Sequence, residues 1–156
     1  MIRKNIIILS LIFFLNSCGF EAIYSLKNNN INFSIEQVIY TGDRELNNFL
    51  KPNLNQYKNE EYNDKIYIEA KSKYNKIILS KDATGAVSNY RLEAEVIFLI
   101  KSTNKKIKIT ETKIMESMAD KFEEAKYEKS IKQSFASSIS YKLVSKLIIN
   151  SLIDNL

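Results

Sequence analysis

Residues 87–101 read VSNYRLEAEVIFLIK. Tyr90, Leu92, Ala94, Val96, Phe98 and Ile100 fall on alternate positions, with Arg91, Glu93 and Glu95 between them. A period of two puts the first set on one face of a β-strand and the second on the other. At Ile97 and Leu99 the charged face turns apolar as well. That predicts a strand covered on both sides there, by core on one side and by the tether, a partner or a helix end on the other.

The flanking sequence supplies the rest of a sheet. Upstream, Lys81-Asp82-Ala83-Thr84-Gly85 predicts a hairpin turn in which Gly85 takes positive φ. Before that turn, residues 65–74, KIYIEAKSKY, alternate: Ile66, Ile68, Ala70 and Tyr74 face one way, and Tyr67, Glu69, Lys71 and Lys73 the other. Residues 75–80 extend this strand past a bulge. Downstream, Ser102-Thr103-Asn104 turns the chain into residues 105–116, KKIKITETKIME, whose charge on both faces suits an edge. Residues 33–40, FSIEQVIY, form a first strand with Phe33, Ile35 and Ile39 on one face.

Two stretches have helical spacing. Thr41-Gly42-Asp43 marks a turn and a cap, followed by Leu46, Phe49, Leu50, Leu54 and Tyr57. Pro52 interrupts this pattern, and an interior proline costs about 3 kcal/mol, which predicts a kink or two short helices. Residues 58–64 form a polar loop. From about Glu123 to Leu152, Ile131, Phe135, Ile139, Leu143 and Leu147 recur every four residues, and Ala136, Val144, Ile148 and Leu152 widen the stripe. This is an amphipathic helix of about 28 residues, roughly 40 Å long. The order is β-α-β-β-β-α. Sheet and helices each have an apolar face, so the fold class is α+β: a two-layer sandwich of a four-stranded sheet and two helices.

The N-terminus is of another kind. Arg3 and Lys4 precede an apolar run from Ile6 to Leu15 that is too short to span a bilayer. The run ends in Leu15-Asn16-Ser17-Cys18. A basic start, a short apolar run and a small-residue cut site describe a secretory signal peptide. Its end resembles the bacterial lipobox, in which the cysteine thiolate takes a diacylglyceryl group and the chain is cut before it. Residues 1–17 are therefore read as a lipoprotein signal peptide, 18–32 as a lipidated tether and 33–156 as the folded domain. Cys18 is the only cysteine, which leaves none for a disulfide in an oxidising periplasm. No Asp follows Cys18, which matches the sorting rule for outer-membrane lipoproteins.

Composition narrows the function. The formal charge is +5, and 20 of the 23 basic residues are Lys. Export and the lack of a binding motif argue against nucleic acid as a partner. There is no His, which removes Ser-His-Asp and Cys-His constellations and most zinc sites. With three glycines and no phosphate-loop motif, a nucleotide cradle is not expected. Glu123-Glu124 and Asn59-Glu60-Glu61 are carboxylate pairs in highly charged sequence, read as solvated surface. No catalytic residue, metal site or cofactor is assigned. Arg91, with Lys106 and Lys108 on the next strand, is a candidate for binding a phosphate-bearing headgroup, against the plainer reading of a cross-strand ion pair between Arg91 and a Glu.

Cys18-Gly19-Phe20-x-x-Ile23-Tyr24 resembles the C-G-F-x-P-L-Y start of the lipopolysaccharide-assembly lipoproteins, LptE, especially their alphaproteobacterial branch, with Ala22 where Pro is common. Thr84-Gly85-x-x-x-x-Tyr90-Arg91-Leu92 is similar to that family's turn and third strand, and Ser130–Leu152 to its closing helix. The resemblance implies a lipid-anchored protein of the outer membrane. It would plug the β-barrel LptD, assist its assembly and help deliver lipopolysaccharide to the outer leaflet. Alternatives are another outer-membrane lipoprotein acting as a periplasmic chaperone or lipid carrier, and a carboxylate hydrolase using Glu123 and Glu124.

Overall fold

The computed structural model describes residues 33–153. Cys18, the signal peptide and the tether lie outside the described residues. The elements follow the order read from periodicity: β1 (Phe33–Gly42), α1 (Arg44–Asn55), β2 (Asp64–Lys81), β3 (Val87–Ile100), β4 (Lys105–Glu116) and α2 (Lys121–Ile153). The strands lie in the sheet order β1-β2-β3-β4. Parallel pairing of β1 with β2 requires a crossover, and α1 supplies it. The two hairpins β2–β3 and β3–β4 are antiparallel, which leaves β4 at an edge.

The core lies between the sheet and the helices. Leu92, Ala94, Val96, Phe98 and Ile100 alternate inward from β3, beside Ile66, Ile68 and Ala70 of β2 and Ile107 and Ile109 of β4. Ile131, Phe135, Ile139, Leu143 and Leu147 of α2 close over them. The side chain of Leu152 lies outside the described residues. On the opposite face, cover by a second layer at Ile97 and Leu99 is not found among the described elements; both side chains are half-buried. Their neighbours explain this. Ile97 sits between Lys71 and Lys108, and Leu99 between Glu69 and Lys106, so long charged side chains shade them with their stems.

Of the two outcomes expected at Pro52, a kink or two short helices, the split does not occur: one helix runs through the proline. Leu46, Leu50 and Leu54, on both sides of the proline, are completely buried. At about 1.5–3 kcal/mol for each buried leucine, their packing outweighs the cost of about 3 kcal/mol for the missing N–H and the ring.

Gly42 ends β1 at φ +94°, and a Cβ there would lie 1.9 Å from the Ser72 carbonyl oxygen. The chain leaves the sheet at this point. The Asp43 N–H still donates to Ser72 (3.3 Å), while the Asp43 carboxylate accepts from the Leu46 N–H (2.7 Å) and caps α1. Gly85 takes φ +87° in the β2–β3 turn, where Asp82 accepts from the N–H groups of Thr84 and Ala86.

Candidate functional site

The basic residues singled out in the sequence do not form one group. Antiparallel register sets Arg91 between Ile77 and Ile114, and Lys108 and Lys106 beside Ile97 and Leu99. Six residues of β3 separate Arg91 from Ile97, which is about 20 Å at 3.3 Å per residue. Arg91 therefore lies towards the β2–β3 hairpin tip, while Lys106 and Lys108 lie level with Ile39 and Thr41 of β1. Nor does Arg91 pair with Glu93 or Glu95: it makes no ion pair among the described residues. Glu95 is taken by Lys108 at 2.6 Å.

Lys106 and Lys108 do share a cleft. They line an open cleft of about 240 Å³ with Lys105, Ile107, Lys146 and Ile149. The strand alternates its side chains across β4, and α2 brings Lys146 and Ile149 down beside them. Lys106 and Lys146 have no ion-pair partner among the described residues. The result is several ammonium groups around the apolar surface of Ile107 and Ile149. Such a cleft attracts anions, phosphate above all, and offers an apolar contact next to the charge. Lys146 and Ile149 escaped the sequence reading because no pattern within a helix tells which strand position it will meet.

The carboxylates of α2 form the second charged group, and here the sequence expectation is corrected. Glu123 is on the surface beside Lys126 (3.6 Å), but Glu124 is buried, with 5% of its surface exposed. Its carboxylate accepts from the Met118 N–H (2.9 Å), Ser117 Oγ (3.1 Å), Lys121 Nζ (2.9 Å) and Lys76 Nζ (3.0 Å). The Met118 N–H and then Lys121 hold it well below the usual carboxylate range, at about 2, against the burial that opposes ionisation. One turn on, Glu128 accepts from Lys76 (3.0 Å) and from the Tyr74 hydroxyl (2.9 Å). Burial first, and then that bond, push the Tyr74 phenol up. Lys132 lies over the Tyr74 ring at 4.1 Å and reaches Glu45 of α1 at 2.6 Å. The cluster thus ties β2, α1 and the first turns of α2 together. A signal for it exists in the sequence. Glu124 and Glu128 continue the Ile131–Phe135 stripe backwards at spacings of four and three, so they face the sheet. With both carboxylates committed to hydrogen bonds and ammonium groups, this is a clamp rather than an acid–base pair. Among the described residues no three of His, Cys, Asp and Glu converge on a metal-sized site.

No protein-family model and no curated protein sequence matches the chain. Solved structures do. The crystal structure of rare lipoprotein B from Shewanella oneidensis superimposes with a TM-score of 0.57 at 14% identity, over 77% of this chain and 99% of that one. The solution structure of lipoprotein B from Nitrosomonas europaea gives 0.56 at 15% identity, over 80% and 90%. At this identity the likeness is one of fold: the β-α-β-β-β-α sandwich described above is the fold of those two lipoproteins.

Proposed function

We propose that this chain is a lipid-anchored outer-membrane lipoprotein that plugs and helps assemble an LptD-like β-barrel and assists the delivery of lipopolysaccharide to the outer leaflet. One observation carries the reading: a domain with the fold of the lipoprotein B structures follows a lipobox-like Leu15-Asn16-Ser17-Cys18. In this reading Cys18 bears the lipid, and the domain acts by binding alone, with no bond made or broken. The cleft supports the lipopolysaccharide part, since Lys106 and Lys146 set ammonium groups for phosphate beside the exposed Ile149. Arg91, about 20 Å away, lies outside this cleft.

The carrier alternative needs a deep apolar pocket between the layers. Against it, Leu46, Leu50, Leu54, Phe98, Ile139 and Leu143 pack that space with almost no exposed surface. The hydrolase alternative needs a free carboxylate, and Glu124 is held by four donors.

The decisive test is affinity purification of the full chain from detergent-solubilised outer membranes. Recovery of a large β-barrel protein in near-equal amount is expected, and its absence refutes the plug. Fatty-acid labelling should mark the wild-type chain and not Cys18→Ala.

A further inference from the structure

β1 pairs with β2 only as far as Gly42 opposite Ser72. β2 runs on to Lys81, still paired with β3. Residues 73–81 therefore have β3 along one edge and, among the described residues, no strand along the other. The direction of the free groups follows from one bond. The Ser72 carbonyl accepts from the Asp43 N–H and so points towards the β1 side. Backbone groups alternate along a strand, so Tyr74, Lys76 and Ile78 aim their N–H and C=O groups at the vacant edge, while Lys73, Asn75 and Ile77 aim theirs at β3.

Lysines guard this edge against indiscriminate pairing, but the backbone itself is unobstructed as far as Ile78. It has no proline, and its bulge comes only after Ile78. Ile77, Ile78 and Leu79 are 36%, 52% and 44% exposed. The Tyr74 and Lys76 side chains are held by Glu128 and Glu124, which keeps the strand extended and in place. Every charge on the edge strand from Lys71 to Lys81 is positive. Lys71, Lys73 and Lys81 make no ion pair among the described residues, and exposed Arg44 stands at the start of the slot. Charge also argues against a second copy of the same edge. An antiparallel self-pairing centred on Ile77 sets Lys73 opposite Lys81.

We propose that this vacant edge is a strand-addition site for an extended segment of another protein that alternates apolar and acidic residues. The segment bonds to the free backbone groups of Tyr74, Lys76 and Ile78 in the row where β1 has ended. Its apolar residues cover Ile77 and Leu79, and its carboxylates meet the lysines.

The test uses the full chain in mild detergent and a short synthetic peptide alternating Val and Glu. Residue-resolved amide exchange should slow about tenfold at Tyr74, Lys76 and Ile78, with Lys73, Asn75 and Ile77 unchanged because they are already bonded to β3. The same peptide with an N-methylated backbone should not bind. The surface variant Lys73→Glu with Lys81→Glu should weaken the acidic peptide about fivefold and favour a Val–Lys peptide instead. Binding without that exchange pattern, equal binding of the N-methylated peptide or no saturable binding overturns the proposal. So does protection of the three amides in the peptide-free protein, whether from a second copy or from the chain's own residues.

Discussion

Replacing Glu124 with Gln keeps the size of the side chain and removes its charge. The wild-type carboxylate has two ammonium partners and two neutral donors. The amide can still accept from the Met118 N–H, but its own NH2 then faces donors. Relative to the ordinary value of 4.5, a folded-state value of about 2 is a difference that would be worth about 3 kcal/mol in a fully dry site. Lys121 is 67% exposed and Lys76 27%, so water screens both attractions. A loss of about 1–2 kcal/mol at neutral pH remains, which lowers the melting temperature by about 5 °C. The sign with pH follows from the direction of the shift. A depressed carboxylate stabilises fully above its unfolded value, and the contribution fades as pH falls from 4.5 towards 2. Urea titrations of wild type and variant at pH 7, 4 and 2.5 should therefore show a gap that is largest at pH 7 and falls to about a quarter of that at pH 2.5. Equal stability at pH 7, or a gap as large at pH 2.5 as at pH 7, refutes the clamp.

The remaining predictions test geometry elsewhere. Gly42→Ala should cost about 2–4 kcal/mol, because strain at positive φ adds to the overlap with Ser72, whereas Gly85→Ala, with nothing within 4 Å of the new methyl, should cost about 1 kcal/mol; chemical denaturation of both separates strain from collision. Tyr40 buries its hydroxyl without a partner among the described residues, and burial pushes its ionisation up to about 12. Tyr40→Phe should thus be neutral or stabilising at pH 7, and it should abolish the part of the stability loss that wild type shows as pH rises from 10 through about 12, read by alkaline unfolding followed by circular dichroism. Lys106→Glu with Lys146→Glu should weaken binding of purified lipopolysaccharide more than Arg91→Glu does, measured by calorimetry at two salt concentrations; equal losses would show that the cleft is not the contact.

Most of the fold was legible because faces are set by short-range periodicity. The alternation in residues 87–101 placed Leu92, Val96 and Phe98 in the core, and the four-residue spacing of Ile131 to Leu147 placed α2 over them. Failures came where a neighbouring term outweighed a local rule. Pro52 broke a propensity rule that three buried leucines overrode. Ile97 and Leu99 implied cover by the tether, a partner or a helix end; among the described residues, flanking lysine and glutamate stems shade them. Glu123 and Glu124 looked like one pair because they are adjacent in sequence. Adjacent helical residues diverge by about 100°, so one reached solvent and the other the clamp.

The candidate site was less legible, and the reason is register. Alternation correctly put Arg91, Lys106 and Lys108 on one face of the sheet, but it carries no information about distance along the strands. That distance depends on where the β3–β4 turn closes. With the turn at Lys101–Asn104, Ile100 meets Lys105, and each step back along β3 is matched by one step forward along β4. Lys108 then has to lie beside Ile97 and cannot reach Arg91, whatever its side-chain conformation: lysine and arginine together span about 13 Å, less than the separation of about 20 Å. The same arithmetic places Glu95 opposite Thr110, two residues from Lys108 on the same face, where the ion pair forms. A one-residue change in that turn would shift the pairing and send Lys106 and Lys108 to the core face. The basic cleft is therefore a property of the turn as much as of the lysines. Lengthening the Lys101–Asn104 turn by a single residue should disrupt the cleft and the core together, whereas a charge reversal at Lys106 should affect the cleft alone.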